Sequence, residues 1–144
     1  MTLEIIDFGW RNLLGIVAGG LANFILGGLW YMKLFNTRWI EATGRRPEDF
    51  KDASPGGGML LTLGGCMLSA AVLALVFGWA GGVTLLDGII VGLILGAGVA
   101  AMEGMKTAVY NFDEKVRPWM LYSVNGSYAV CGLTLAGAIY AIIT

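Results

Sequence analysis

The chain has 144 residues, of which 57% are hydrophobic and only 13% charged, with a mean hydropathy of +0.74. Soluble domains carry roughly 25% charged residues, so this composition predicts an integral membrane protein, organised as one transmembrane domain over residues 1–144. The net charge of −1 says little by itself, but no basic tract of the kind that binds nucleic acid occurs, and the absence of histidine removes the commonest metal ligand and the usual proton carrier near neutral pH.

The segment Met1–Trp10 holds Glu4 and Asp7 but no basic stretch, so it reads as the lead-in to a retained first helix rather than a cleavable signal. Four apolar stretches reach the length of about 20 residues needed to cross the hydrocarbon core. The first covers about 13–34. Along it Gly15, Gly19, Asn23, Gly27 and Tyr31 recur at four-residue spacing, which places them on one helix face, with Gly28 beside them.

A charged connection follows over 35–57. Arg46-Pro47-Glu48-Asp49 has the proline and acids of a helix start, and Ser54-Pro55-Gly56-Gly57 breaks the chain before the next span. One or two short amphipathic helices are expected here, lying on the membrane with Phe35, Trp39, Ile40 and Phe50 toward lipid.

The second span covers about 58–79, with a stripe of Gly58, Thr62, Cys66, Ala70, Ala74 and Gly78. The short turn Ala80-Gly81-Gly82-Val83-Thr84 then forces an antiparallel hairpin. The third span, about 85–108, carries the most regular ladder of all: Gly88, Gly92, Gly96, Ala100, Gly104. In water each interior glycine would cost about 1 kcal/mol relative to alanine. In lipid the small side chain permits close helix approach where no hydrophobic effect drives association. Asp87 suits the positive end of this helix. Asp113, Glu114, Lys115 and Arg117 read as a solvated connection, and the fourth span covers about 119–143. It bears Gly132, Ala136 and Tyr140 on one line and Ser123, Ser127 and Cys131 on another.

The expected fold is therefore all-α: four transmembrane helices in an antiparallel bundle, with short amphipathic helices in the first cytoplasmic loop. The small faces are expected to pack the four helices together; the alternative is that at least one of them, first of all that of span three, joins subunits of a homo-oligomer. Spans one–two and three–four share enough pattern to suggest a duplicated hairpin. Eight of the nine basic residues fall in or beside the connections after spans one and three, leaving only Arg11 at the opposite side. The positive-inside rule places both connections in the cytoplasm and both termini outside. Aromatic residues gather at the two interfaces, as amphipathic rings do.

Polar residues at membrane depth mark candidate sites, because each is costly unless paired. Asn23 sits near the middle of span one. Glu103 lies close to the glycine face of span three, with Lys106 at i+3 and Lys33 at the matching end of span one as partners. The two roles for Glu103 are an interfacial ion pair with snorkelling lysines and a proton- or cation-binding carboxylate. By depth alone Trp30, Tyr31, Glu103, Asn125 and Tyr128 form one layer. Cys66 and Cys131 read as small packing residues, without metal-binding spacing. No serine-hydrolase, zinc-protease or phosphate-loop motif occurs, so neither a catalytic residue, a metal nor a cofactor is expected.

The stretch Gly27-Gly28-Leu29-Trp30-Tyr31, followed by Phe35 and Trp39, resembles the signature at the end of the first helix in the bacterial membrane family labelled domain of unknown function 1761. The segment Glu41–Ala53 resembles that family's charged loop. Asn125, Tyr128 and Gly137-Ala138-Ile139 are similar to its last helix. The resemblance implies a four-helix bacterial inner-membrane protein with no assigned activity.

Two readings of function remain. The first is a small oligomeric channel or transporter of an unspecified ion or small molecule, motivated by the glycine faces and Glu103. The second is a structural or accessory membrane protein that binds lipid or a partner through those faces. An enzyme acting on lipid or quinone ranks behind both.

Overall fold

The computed structural model describes residues 9–51, 56–81 and 83–144, and among these every regular element is helical. Four helices are long and apolar enough to cross a membrane: Trp10–Leu34, Gly56–Ala80, Leu85–Val109 and Pro118–Ile143, here spans one to four. In a bilayer a helix satisfies all its backbone groups internally, which is why such apolar runs fold this way. The chain is a multi-pass membrane protein. The Ser54-Pro55 break, Gly82 of the tight turn and Met1–Phe8 lie outside the described residues.

Local chemistry sets the helix ends. Gly44 closes the short helix Asn36–Thr43 in the left-handed region at φ 68°, and Gly81 ends span two at φ 79°. Span three opens with a capping box. The Asp87 carboxylate accepts from the Thr84 N–H at 2.9 Å and the Thr84 hydroxyl at 2.6 Å, while the Asp87 N–H donates back to Thr84 Oγ1 at 3.3 Å.

Span four lies between spans one and three and touches both along most of its length. On the span-three side Gly88 meets Gly137, Gly92 meets Leu133 and Thr134, and Gly96 meets Val130. On the span-one side Gly15 meets Tyr140, Gly19 meets Ala136, Asn23 meets Gly132 and Gly27 meets Tyr128. Numbers rise on one helix as they fall on the other, so span four runs opposite to both neighbours. The approach leaves no room for side chains: a β-carbon on Gly92 would lie 2.7 Å from Thr134 Cα, and one on Gly96 would lie 2.7 Å from Val130 Cα. Dispersion between backbones at this range replaces the hydrophobic effect that lipid removes.

Span two rests on span one, where Gly20 admits Met67 and Cys66. At the end of the molecule holding residue 144, Leu73, Ala74 and Phe77 of span two pack with Ala136 and Tyr140. There the Phe77 and Tyr140 rings stack at 5.4 Å. At the other end, where the long connections lie, span two parts from its neighbours. Nothing among the described residues comes within 4 Å of a β-carbon placed on Gly57, Gly58, Gly64 or Gly65.

Three expectations need correction. First, the Gly88–Gly96 face is covered by span four of the same chain, so it is not free to join subunits. Second, the four-residue ladder stops at Gly96. A π-helical turn, Gly96–Ala101, inserts one residue, and the buried positions beyond it are Ala101 and Ala108, leaving Ala100 half-buried and Gly104 exposed. Gly28 likewise faces away from every neighbour within 4 Å among the described residues. Third, Phe35, Trp39 and Phe50 fold back onto other rings instead of turning wholly to lipid. Aromatic partners at ring-contact distance are available, and all three residues are half-buried.

The connection around Asp113–Arg117 is exposed at Asp113, Glu114, Lys115 and Arg117, as a solvated segment should be, and it is also docked. The Arg117 N–H donates to the Ala42 carbonyl at 2.8 Å, the Arg117 guanidinium pairs with Glu41, and Gly44 lies against the Lys115 backbone. The helix Asn36–Thr43 thereby ties the first connection to the last.

Candidate functional site

The polar residues of the apolar spans converge near the connection end, around the first turns of span four. Span one ends in a second π-helical turn, Trp30–Leu34, in which the Phe35 N–H reaches back to the Trp30 carbonyl at 2.8 Å. The Tyr31 carbonyl accepts from Asn36 Nδ2 at 2.9 Å, which satisfies part of the backbone loosened there.

This turn brings two successive aromatic residues onto span four. Trp30 Nε1 donates to the Val124 carbonyl at 3.1 Å, and the Tyr31 hydroxyl donates to Asn125 Oδ1 at 3.1 Å. Tyr128 closes the group. Its hydroxyl donates to the Asn23 carbonyl at 3.2 Å and lies 3.8 Å from Cys66 Sγ. Gly27 makes this possible, because a β-carbon there would sit 2.9 Å from the Tyr128 oxygen.

The rings form a connected series. Tyr128 contacts Tyr31 at 5.2 Å and Trp30 at 6.3 Å, Tyr31 meets Trp39 at 5.9 Å, and Trp39 meets Phe50 at 5.6 Å. Arg45 lies 6.0 Å over the Phe50 ring. The series therefore runs from a charged loop surface to the middle of the apolar spans.

Asn23 is 7% exposed, and its Oδ1 has no conventional hydrogen bond among the described residues. It occupies instead the place where a β-carbon on Gly132 would stand, so glycine at that position is what admits the amide.

Beside this cluster a groove of about 120 Å³ opens between the end of span three and the start of span four. Gly104, Thr107, Ala108, Asn111, Tyr122 and Asn125 contribute to its walls. Asn125 thus belongs to both features: its Oδ1 is held by Tyr31, and the same residue borders the groove. The groove offers uncharged hydrogen-bonding groups beside an aromatic face. No carboxylate is among its wall residues.

Of the layer read from depth, Trp30, Tyr31, Asn125 and Tyr128 come together, with Asn23 beneath them. Glu103 does not join. It pairs with Lys106 at 2.7 and 2.9 Å, and the two side chains are 66% and 65% exposed. The physical reason is the π turn: one extra residue rotates everything after Ala101, so a position three past Ala100 no longer lies by the seam. Lys33 is exposed and takes part in neither of the two ion pairs found among the described residues. Thr107, Asn111, Tyr122 and Cys66 were not singled out as site residues. The i, i+4 polar pair Thr107 and Asn111, at the end of an apolar span, was the available signal.

No curated protein and no solved structure matches the chain significantly. The model of the family described as protein of unknown function, DUF1761, matches residues 14–141, which takes in spans two and three, most of spans one and four, and both long connections. The chain belongs to that family.

Proposed function

We propose that this chain is a non-catalytic accessory protein of the bacterial inner membrane that holds a lipid headgroup at the groove beside Asn125. In this reading the connections 35–57 and 110–117 face the cytoplasm and both termini lie outside, as the basic residues direct. The helices form an antiparallel bundle that acts as a single copy.

The observation that carries the reading is the groove itself. It opens at the connection end, where headgroups lie, and its polar side chains are the uncharged Thr107, Asn111, Tyr122 and Asn125. These match a headgroup's esters and hydroxyls, while exposed apolar side chains nearby, such as Met105 and Val109, border the acyl region. Two motives for a channel or transporter are weakened. The glycine face of span three is occupied by span four, and Glu103 is an exposed ion-pair member rather than a buried acid.

The test is lipid retention. Protein released from nanodiscs of phosphatidylethanolamine and phosphatidylglycerol is weighed by native mass spectrometry. The unaltered chain is expected to keep one lipid. Asn125→Ala with Thr107→Val is expected to weaken retention about tenfold or more, since two lost hydrogen bonds are each worth about 0.5–1.5 kcal/mol. Unchanged retention, or solute flux above that of empty vesicles, overturns the proposal.

A further inference from the structure

The first half of span three meets span four on Gly88, Gly92 and Gly96, spaced by four. Beyond Gly96 the buried face jumps to Ala101 and then Ala108, at 5% and 6% exposure. The jump is made by the π turn Gly96–Ala101. Yet the four-residue period of small side chains continues straight through that turn: Ala100, Gly104 and Ala108 stand on the same line. An unbroken α-helix would present Gly96, Ala100 and Gly104 to span four, a surface of the kind already packed at Gly88–Gly96, and would turn Ala108 away from where the π form buries it.

The residues that would exchange places, Ala100, Ala101 and Gly104, are all small. The exchanged seam positions bury no bulk in either arrangement, and the α form also turns Glu103, seven residues after Gly96, toward span four. Glu103 and Lys106 remain an i, i+3 pair on one helix in both.

We propose that the second half of span three exchanges between two registers on span four: the π form described above, and an α form in which Ala100 and Gly104 enter the seam and Ala101 leaves it. The exchange turns Met102–Val109 by about 100°, the rotation of one helical residue. In the π form Gly104 stands off span four, with Tyr122 3.9 Å from the position of its β-carbon, and helps wall the groove. In the α form Gly104 closes onto span four and the groove is lost. This last consequence rests on the headgroup reading of the groove; the two registers do not.

Disulfide trapping separates the registers. In a chain carrying Cys66→Ala and Cys131→Ala, one cysteine replaces Gly126 and the second replaces either Ala101 or Ala100. Ala101 Cβ lies 3.7 Å from the β-carbon position of Gly126, inside the range of about 3.5–4.5 Å that a disulfide needs. Both pairs are expected to crosslink in nanodiscs. The Ala100 pair should be slower by no more than about a hundredfold, as for a minor state populated at about 1% or more.

Two variants close the test. Deleting Val99 removes the extra residue and leaves Ala101 facing span four on a plain α-helix. Gly104→Leu bars position 104 from the seam, while in the π form its β-carbon stands at ordinary contact distance, 3.9 Å, from Tyr122. Each is expected to keep the Ala101 crosslink and slow the Ala100 crosslink about tenfold or more, the mark of a minor state removed. An Ala100 pair that forms no faster in the unaltered helix than in these variants overturns the proposal. Lipid retention plays no part in this readout, so failure of the groove reading leaves the result intact.

Discussion

Tyr31 and Asn125 stand 94 positions apart in sequence and share a hydrogen bond of 3.1 Å, the tyrosine hydroxyl donating to the amide oxygen. This bond links the end of span one to the start of span four and borders the groove. Removing either partner should leave the other without its mate in an apolar setting. Tyr31→Phe and Asn125→Ala are each expected to lower stability by about 0.5–1.5 kcal/mol, read from denaturant unfolding in detergent. The double variant should lose less than the sum, because the two residues share one interaction. Strict additivity would mean that the bond contributes nothing.

The glycines divide into two groups that the same substitution should separate. Gly92→Ala drives a β-carbon to within 2.7 Å of Thr134 Cα, which backbone cannot yield, so a loss of about 1–3 kcal/mol is expected. Gly28→Ala and Gly64→Ala meet nothing within 4 Å among the described residues. These should be neutral or stabilising by up to about 1 kcal/mol, the helix-propensity difference. Thermal unfolding of the three variants side by side checks the ordering, and an equal loss at Gly28 and Gly92 would contradict the seam.

Of the two roles the sequence left to Glu103, an interfacial ion pair and a proton- or cation-binding carboxylate, the exposed pair with Lys106 matches the first. Glu103→Gln should change stability by no more than about 0.5 kcal/mol, the usual worth of an exposed i, i+3 pair. The same variant should leave lipid retention unaltered, since Glu103 is no part of the groove wall. A large loss of either in native mass spectrometry or unfolding would return Glu103 to the site.

Periodicity and composition made the architecture legible. The four spans begin and end within three residues of their expected limits. The faces of span one, from Gly15 to Gly27, and of span three, from Gly88 to Gly96, were readable because an α-helix repeats its face every three to four residues. What hid the rest was a departure from that repeat. A π turn adds a residue without any marked change in composition, so nothing in Gly96–Ala101 announced that Ala101 would replace Ala100. The site was half legible for the same reason: Trp30, Tyr31, Asn125 and Tyr128 were found by depth, while Glu103 was misplaced by rotation. The inward packing of Trp39 and Phe50 depends on partners far along the chain, which local amphipathicity cannot specify.

The docking of the helix Asn36–Thr43 on the last connection combines an ion pair with a backbone contact, and the two should respond differently. Glu41 and Arg117 have side chains 48% and 60% exposed. Water and salt therefore screen their attraction, and Glu41→Gln should cost at most about 1 kcal/mol. Ala42 is fully buried, and its carbonyl accepts from the Arg117 N–H at 2.8 Å. Ala42→Leu has no space to occupy and should push the helix off, at about 1–3 kcal/mol. Hydrogen exchange at the Arg117 amide distinguishes the two. It should stay slow in Glu41→Gln and at high salt, yet quicken in Ala42→Leu, because its protection comes from the backbone bond and not from the charges. Quickening by salt alone would show that the ion pair holds the two connections together.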